Sequence, residues 1–366
     1  MRSDLKLLII SSYKDTWNSV RPEAEIFIGL AKLGVDVTLM TEGDAEYVPR
    51  FKEHGVKIID FHPKKKFQWS AIKRIRAELK QGQYDALYMF NNKAITNGLF
   101  ASIGLPVKTV SYRGQTGNIY WYDPTSYLTH LNPRLDAIIC VANAVRDDLY
   151  KHSRLLKERI TTVYKGHSLD WYQGSPADLS EFGIPEGAFV VGCVANDRPR
   201  KGLPVLLKAS HLLPVDREIY FLLVGSGMDS EAIQSLINES PMADRIKVAG
   251  HRKDAPALIA ACDVSVLPSL KREGLPKTVI EAMAYGTAVI VSNTGGSAEL
   301  IVDGESGIEV QPGDFEAIAQ GIKVLEADRA CCKAMGQAGR ERIQEYFNTE
   351  KSASDTKKFL ELLRSK

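Results

Sequence analysis

Two successive series of short apolar runs, separated by amphipathic stretches, constrain the fold of this chain most strongly. Such alternation of strand-like and helix-like patterns indicates parallel sheets with crossover helices, the doubly wound α/β class. The first series stops near residue 163, and a stretch rich in Gly, Ser, Pro and Asp precedes the second. The predicted strands are residues 5–10, 35–40, 56–59, 86–90, 107–111 and 137–141, then 189–195, 219–224, 246–249, 264–267 and 288–291.

The length of 366 residues suits two domains of ordinary size. We expect a first domain over residues 1–170, a linker over 171–187, a second domain over 188–347 and a last helix over 348–366. The apolar run at residues 5–10 is too short for a membrane span or a secretory signal. We therefore expect a cytoplasmic protein.

Composition argues against several classes of site. The five cysteines and seven histidines form no metal-ligand spacing, so we expect no metal and no bound cofactor. Residues 1–170 contain 25 Lys and Arg against 18 Asp and Glu, whereas the rest of the chain contains 22 against 27. The basic first half suits an anionic acceptor or membrane surface, and we expect no nucleic-acid partner.

Residues 267–286 read as strand, loop and helix. Pro276 suits the first helical position, and Gly286 suits the stop. Loops of this kind open at the carboxyl ends of parallel strands, where helix N–H groups favour a phosphate. Two carboxylates, Glu273 and Glu281, bracket the turn and suit sugar hydroxyls. The pattern indicates a nucleotide sugar, although Glu281 could instead form a surface pair with Lys277.

A second glycine-rich turn follows at residues 292–299, and Asp303 to Gly307 closes the pattern. The whole stretch from 267 to 307 resembles the carboxyl-terminal signature of the retaining GT-B glycosyltransferases of family four, with Glu273 and Glu281 as its two signature glutamates. The resemblance implies two doubly wound Rossmann-like domains facing across a cleft, and a tail that crosses back onto the first domain. It also implies that Glu281 holds the ribose and Glu273 contacts the donor sugar, beside Gly274, Leu275 and Pro276.

The donor diphosphate needs positive charge, and the chain has no Asp-x-Asp triplet to hold a metal. The resemblance makes Lys201, in the turn after the first strand of the second domain, the diphosphate-binding lysine. The family usually has an arginine where this chain has Ala195, and either Arg198 or Arg200 could replace it. Further donor-side turns are expected at Gly225 and at Gly250, His251 and Arg252.

The resemblance is thinner in the first half. The loop after the first strand offers Lys14, Asn18 and Arg21 to a polar or anionic acceptor. Many family members carry a histidine after the fifth strand, where this chain has Arg113. A guanidinium there could stabilise negative charge near the transferred sugar, but it is a poor base.

Residues 63–70 combine Lys64, Lys65 and Lys66 with Phe67 and Trp69, and more cations follow at 73–76. Such a surface suits peripheral contact with the anionic inner face of a membrane. A solvated helix face is the equal alternative.

The expected function is metal-independent, retaining transfer of a hexose or related sugar from a nucleoside-diphosphate sugar to a glycan or lipid-linked acceptor, as in cell-surface polysaccharide or lipopolysaccharide assembly. Lys201, Glu273 and Arg113 are the expected catalytic residues. The alternatives are a nucleotide-sugar epimerase of the same fold and an inactive regulatory protein that binds a nucleotide sugar. The sequence leaves the donor base, the sugar and the acceptor open.

Overall fold

The computed structural model describes residues 5–14, 17–153 and 157–365, with the side chains of residues 17–19 excepted. The strands are β1 (Lys6–Ile10), β2 (Asp36–Thr41), β3 (Lys57–Asp60), β4 (Ala86–Met89), β5 (Lys108–Arg113), β6 (Ala137–Cys140), β7 (Ile160–Thr162), β8 (Phe189–Val194), β9 (Ile219–Val224), β10 (Ile246–Gly250), β11 (Val264–Leu267), β12 (Ala288–Ser292) and β13 (Ile308–Val310). The α-helices are α1 (Trp17–Lys32), α2 (Val48–Glu53), α3 (Trp69–Gly82), α4 (Asn92–Ala101), α5 (Asn143–Tyr150), α6 (Leu203–Ser210), α7 (Glu231–Glu239), α8 (Ala255–Ala260), α9 (Lys277–Tyr285), α10 (Phe315–Ala327), α11 (Arg329–Tyr346) and α12 (Thr349–Ser365).

The chain divides into two compact units, Met1–Gly166 with Phe347–Lys366, and His167–Tyr346. The first unit contains a parallel sheet in the order β3-β2-β1-β4-β5-β6-β7. The chain moves outward from β1 on one side and then returns to β4 on the other. The topological switch point of this sheet therefore lies between β1 and β4, where substrates of doubly wound folds bind.

The second unit contains a parallel sheet in the order β10-β9-β8-β11-β12-β13. The same reversal occurs here, so its switch point lies between β8 and β11. Its central strands are apolar on both faces and are buried under helices, as in all-parallel sheets. The doubly wound class predicted from the alternating pattern is confirmed.

Each strand of the two predicted series lies at its predicted place to within a few residues, but two strands were missed. β7 and β13 are three residues long each, too short to form an apolar run that stands out from its surroundings. Both occupy an outer edge of their sheet. Short edge strands are common, because a short edge leaves fewer backbone groups without a partner strand.

Residues 171–187, expected as a linker, pack on the second unit. The Tyr172 ring meets the Tyr285 ring at 5.6 Å, the Ala177 N–H donates to the Ala257 carbonyl at 3.0 Å, and Ile184 is buried. A backbone hydrogen bond and a few apolar contacts therefore hold this segment on the second unit.

The last helix, α12, belongs to the first unit and packs on α1. Gly29 lets the two helices approach closely, because a Cβ at that position would lie 2.6 Å from the Ala353 Cβ. Lys357 also donates to the Leu33 carbonyl at 2.7 Å. Within the described ranges, no helix combines the length and apolarity that crossing a bilayer requires.

Candidate functional site

The candidate site of the second unit lies at the carboxyl ends of β8 and β11, two hydrogen-bonded neighbours at the switch point. Lys201 follows β8 and Glu273 follows β11. The Lys201 ammonium donates to the Glu273 carboxylate at 2.7 Å. The structure thus joins two predicted site residues that are 72 positions apart in the sequence.

Glu273 is held by more than this one contact. Ser269 donates to the same carboxylate oxygen at 2.6 Å, and the Arg200 guanidinium lies 3.6 Å from it. The Glu273 side chain is only 6% exposed, so these donors largely replace water. Ser269 was not singled out from the sequence, although its place at the end of β11, four residues before Glu273, was a usable signal.

The backbone around Glu273 is tightly constrained. Arg272 adopts a left-handed conformation with φ of 63°, which is unusual for a residue with a side chain, and its carbonyl accepts a hydrogen bond from Arg200 at 3.2 Å. Gly295 faces the Glu273 carbonyl, and a Cβ there would lie 2.1 Å from the carbonyl oxygen. The turn after β12 therefore braces the Glu273 loop.

A similar close approach joins the turns after β8 and β11. Gly202 has a φ of +69°, and a Cβ at this position would lie 1.9 Å from the Pro268 carbonyl oxygen. The Leu270 N–H donates to the Arg200 carbonyl at 2.8 Å. Because Gly202 directly follows Lys201, its contact fixes the Lys201 backbone against the loop of Glu273.

Of the two arginines that could replace the family's usual one, Arg200 lies beside Glu273, whereas Arg198 is exposed. Gly225 packs against Ala195, where a Cβ would lie 1.7 Å from the Ala195 carbonyl oxygen. The Gly225 N–H donates to the Gly250 carbonyl at 2.8 Å, so these two turns lie side by side.

His251 is exposed, and the Arg252 guanidinium bonds Glu181 and Asp254. Those carboxylates raise the pKa of Arg252 above its ordinary value. Arg252 is therefore paired with two carboxylates of its own unit, as Lys201 is paired with Glu273.

The N-terminus of α9 completes this edge. Pro276 precedes the helix as its N-cap residue, not as its first helical residue as expected, because its ψ of 115° is extended. Gly274 and Pro276 are buried and Leu275 is half-buried. A helix start leaves backbone N–H groups without intrahelical partners, which favours an anion.

Glu281 lies one turn into α9 and is 6% exposed. It accepts a hydrogen bond from Lys277, so the pair considered from the sequence does form, but the carboxylate is buried and not on the surface. Burial raises the pKa of Glu281, and the Lys277 charge opposes that shift. A buried carboxylate with one flexible partner can exchange that partner for a ligand hydroxyl.

The first unit places a polar cluster near its own switch point. Ser12 donates to the Glu42 carboxylate at 3.0 and 3.1 Å, His62 Nδ1 lies 3.6 Å from Glu42, and Asn91 contacts His62 Nε2 at 3.0 Å. Burial lowers the pKa of His62. No spacing in the sequence predicts this cluster, because its members follow four different strands.

The predicted acceptor-side residues, Lys14, Asn18 and Arg21, are different from the members of that cluster. Lys14 is exposed and its charge acts on His62, while Arg21 lies near Glu25 on α1. Asn18 lies in α1, and its side chain falls outside the described part of the chain.

Arg113 ends β5 and donates to the Gly117 carbonyl. Burial lowers its pKa, and the Asp148 charge opposes this. The guanidinium is therefore held by its own loop.

Among the described residues, no group of three or more His, Cys, Asp or Glu side chains is arranged to hold a metal ion. At the carboxyl edge of the second sheet, Lys201 and Arg200 bring cationic side chains to the Glu273 carboxylate.

Two family models match the chain. The model of the glycosyl transferases group 1 matches residues 175–342, and the model of glycosyltransferase family 4 matches residues 24–171. Together the two models account for most of both units. The chain belongs to the group 1 glycosyl transferases.

The chain is similar to the lipopolysaccharide core biosynthesis glycosyltransferase LpsE of Rhizobium meliloti, at 30% identity over 52% of this chain and 54% of that protein. It is also similar to the lipopolysaccharide core biosynthesis mannosyltransferase LpcC of Rhizobium leguminosarum, at 30% identity over 63% of this chain and 65% of that protein. The chain thus spans between half and two thirds of the length of these relatives.

Solved structures show the same fold. A glycosyltransferase from Rickettsia africae superposes with a TM-score of 0.82 at 18% identity over 99% of both chains. Alr3699/HepE of Anabaena, solved in complex with UDP and glucose, superposes with a TM-score of 0.78 at 20% identity over 98% of this chain and 100% of that one. The fold is therefore GT-B, as the resemblance implied.

Proposed function

We propose that this protein transfers a sugar, with retention of configuration and without a metal ion, from a nucleoside-diphosphate sugar to a glycan or lipid-linked acceptor. The observation that carries the proposal is the Lys201 ammonium 2.7 Å from the buried Glu273 carboxylate, beside the start of α9. A cation, a sugar-binding carboxylate and a helix N-terminus are the groups that a nucleotide sugar needs at one place.

In this proposal Lys201 and Arg200 bind the diphosphate. Both already lie at the Glu273 carboxylate, so an incoming phosphate exchanges one anionic partner for another without moving either backbone. Backbone N–H groups at the start of α9 add further donors. The positive charge stabilises the diphosphate as it leaves, which is the role that a metal plays in other transferases.

Glu281 binds the ribose hydroxyls and Glu273 binds hydroxyls of the donor sugar. When the ribose binds, its hydroxyls replace Lys277 at the Glu281 carboxylate. The Lys277 side chain is 36% exposed and can turn into solvent, whereas the Glu281 side chain is 8% exposed and stays in place. Ser269 remains on Glu273 and keeps its carboxylate oriented during the exchange.

Retention follows from attack on the same face as the leaving group. The acceptor hydroxyl oxygen forms the new bond to the anomeric carbon while the bond from that carbon to the phosphate oxygen breaks. The acceptor proton passes to the departing phosphate, so no protein nucleophile or base is needed. Arg113, expected near the transferred sugar, would act through its charge.

The acceptor binds in the first unit. The cluster of Ser12, Glu42, His62 and Asn91 offers hydroxyl, carboxylate, imidazole and amide groups at a switch point, which is a suitable set for sugar hydroxyls. Lys14 adds a charge for an anionic acceptor. Lipopolysaccharide assembly is the setting that the relatives' names support. In this proposal the protein works at a peripheral position on the inner face of the membrane.

The test is incubation with nucleotide sugars and a chelator, with and without lipid-linked acceptor extract, followed by proton NMR of the anomeric signals. We expect nucleoside diphosphate release that needs acceptor and a product with the donor's anomeric configuration. Inversion or a requirement for divalent metal would overturn the mechanism. A changed sugar formed from donor alone would indicate the epimerase, and binding without any turnover would indicate the regulatory protein.

A further inference from the structure

A surface on the first unit exposes large aromatic side chains beside a run of lysines. We call it the aromatic-basic surface. Trp69, Trp121 and Tyr122 are 66%, 68% and 65% exposed, although such side chains are usually buried in a globular protein. Its members are Lys64, Lys65, Lys66, Phe67 and Trp69, from the segment after β3, and Trp121, Tyr122, Tyr127 and Leu128, from the segment after β5.

The two segments lie next to each other on α4. Asn97 donates to the carbonyls of Lys65 and Lys66 at 2.9 and 3.0 Å, and the preceding residue, Thr96, donates to the Leu128 carbonyl at 3.0 Å. Hydrogen bonds from Thr125 lower the pKa of Asp123, and the Lys66 charge adds to the effect. The two segments therefore form one surface.

This surface is preformed. Asn97 is fully buried, and its carboxamide oxygen also accepts from the Gln68 N–H at 2.9 Å. The Phe67 ring packs edge-on against Phe100 and Trp69, each at 5.2 Å.

The second segment is braced in a similar way. The Tyr122 ring stacks on Tyr120 at 5.2 Å, and the Tyr127 hydroxyl donates to the Trp121 carbonyl at 2.9 Å. These contacts hold the aromatic rings outward at fixed places, so little conformational entropy is lost when a partner binds.

We propose that the aromatic-basic surface binds the interface of an anionic phospholipid bilayer. Indole and phenol rings prefer the headgroup region, where one end of the ring is apolar and the other is hydrated. Lysine ammonium groups near the bilayer are attracted by anionic headgroups. Charge also favours lipid over a second copy of this chain, because a symmetric contact would bring two sets of Lys64, Lys65 and Lys66 together.

This inference rests on the proposed function and gives it a location. Both segments leave the first sheet at the carboxyl ends of β3 and β5, the edge at which Ser12, Glu42 and His62 also lie. A bilayer bound here would present a lipid-linked acceptor to that edge. The surface thus selects acceptors by their position at a membrane, and soluble acceptors would gain nothing from it.

The test is flotation of the full chain with vesicles of phosphatidylcholine alone, and with vesicles of equal parts phosphatidylcholine and phosphatidylglycerol. We expect flotation with the anionic vesicles only. Changing Lys64, Lys65 and Lys66 to Glu should lower the partition coefficient by roughly a hundredfold or more. Changing Trp121 and Tyr122 to Ser should lower it on its own.

Matched controls carry the same changes elsewhere. Lys253, Lys333 and Lys358 are exposed, and their change to Glu alters the net charge equally. Leu212 and Val215 are exposed apolar residues of the second unit for change to Ser. These controls should float like the unaltered protein.

Two results would overturn the inference. One is equal flotation of the unaltered protein and the Lys64, Lys65 and Lys66 variant. The other is that the unaltered protein does not float but forms a dimer in light scattering, and that changing Trp121 and Tyr122 to Ser abolishes this dimer. That result would assign the surface to a second copy of the chain. Nucleotide binding measured without vesicles keeps the two proposals apart, because its absence would overturn the proposed function whatever the flotation shows.

Discussion

Lys201 and Glu273 form an ion pair at 2.7 Å across the switch point of the second sheet, with the Lys201 and Glu273 side chains 18% and 6% exposed. The two residues are 72 positions apart in the sequence, and they follow different strands, β8 and β11. The pair stands where the diphosphate and the donor sugar are proposed to bind. It therefore couples the stability of this unit to the chemistry of its site.

The first prediction concerns that pair. Lys201→Met leaves a buried carboxylate with fewer donors, and we expect it to lower the free energy of unfolding by about 2 kcal/mol, below the range for a fully buried pair because Ser269 and Arg200 still contact Glu273. Combining Glu273→Gln with Lys201→Met should restore part of the lost free energy of unfolding. Urea unfolding of the two single variants and the double variant measures the coupling. Additive losses would show that the pair contributes nothing.

The second prediction concerns the approach of the two loops. Gly202 and Gly304 both adopt a left-handed backbone conformation. Gly202→Ala places a Cβ 1.9 Å from the Pro268 carbonyl oxygen, whereas the Cβ of Gly304→Ala has no atom within 4 Å. We expect Gly304→Ala to cost about 1 kcal/mol and Gly202→Ala at least ~2 kcal/mol more. Thermal or urea unfolding compares them. Equal losses would contradict the close packing of the loops.

Much of this arrangement was predictable, and the reasons for the rest are physical. Apolar runs indicated the strands, and glycines after strands indicated the turns, because those patterns are local. The cluster of Glu42, His62 and Asn91 depends on which strand ends become neighbours, and so does the position of Ser269 beside Glu273. No local sequence pattern specifies the order of strands in a sheet.

The third prediction concerns the pH dependence of stability through Glu281. Burial raises its pKa above the ordinary value of 4.5, so the folded state holds the proton more tightly than the unfolded state. Its contribution to stability is present below pH 4.5 and is lost as the pH rises through the folded pKa. Glu281→Gln should remove that decline, as measured by urea unfolding at a series of pH values. An unchanged decline would assign it to other groups.

The fourth prediction concerns His130 in the first unit. This histidine is 4% exposed and contacts the Ser111 hydroxyl at 3.1 Å. Burial, with the nearby Arg113 charge, lowers the pKa of His130 to about 3 from 6.5. Stability should therefore fall as the pH falls below 6.5 toward 3, since only the unfolded state takes up the proton there.

The variant His130→Gln should flatten the acid side of the stability curve relative to the unaltered protein. His251→Gln is the control, because His251 is exposed. Melting temperatures recorded across that pH range would show the difference. Parallel curves for His130→Gln and the unaltered protein would contradict the buried neutral imidazole.

The edge around Lys201, Glu273 and Glu281 is proposed to bind a nucleoside-diphosphate sugar without a metal. Calorimetric titration with UDP, GDP, ADP, their sugar conjugates and the free nucleosides, in the presence of a chelator, tests it most directly. We predict binding of one nucleotide. Lys201→Met should lower the affinity for the nucleoside diphosphate by roughly tenfold to a hundredfold, because a charge-assisted contact is lost. It should leave the affinity for the free nucleoside unchanged. Glu281→Gln should lower the affinity for both. Failure of every nucleotide to bind, or binding that neither substitution alters, would contradict the account.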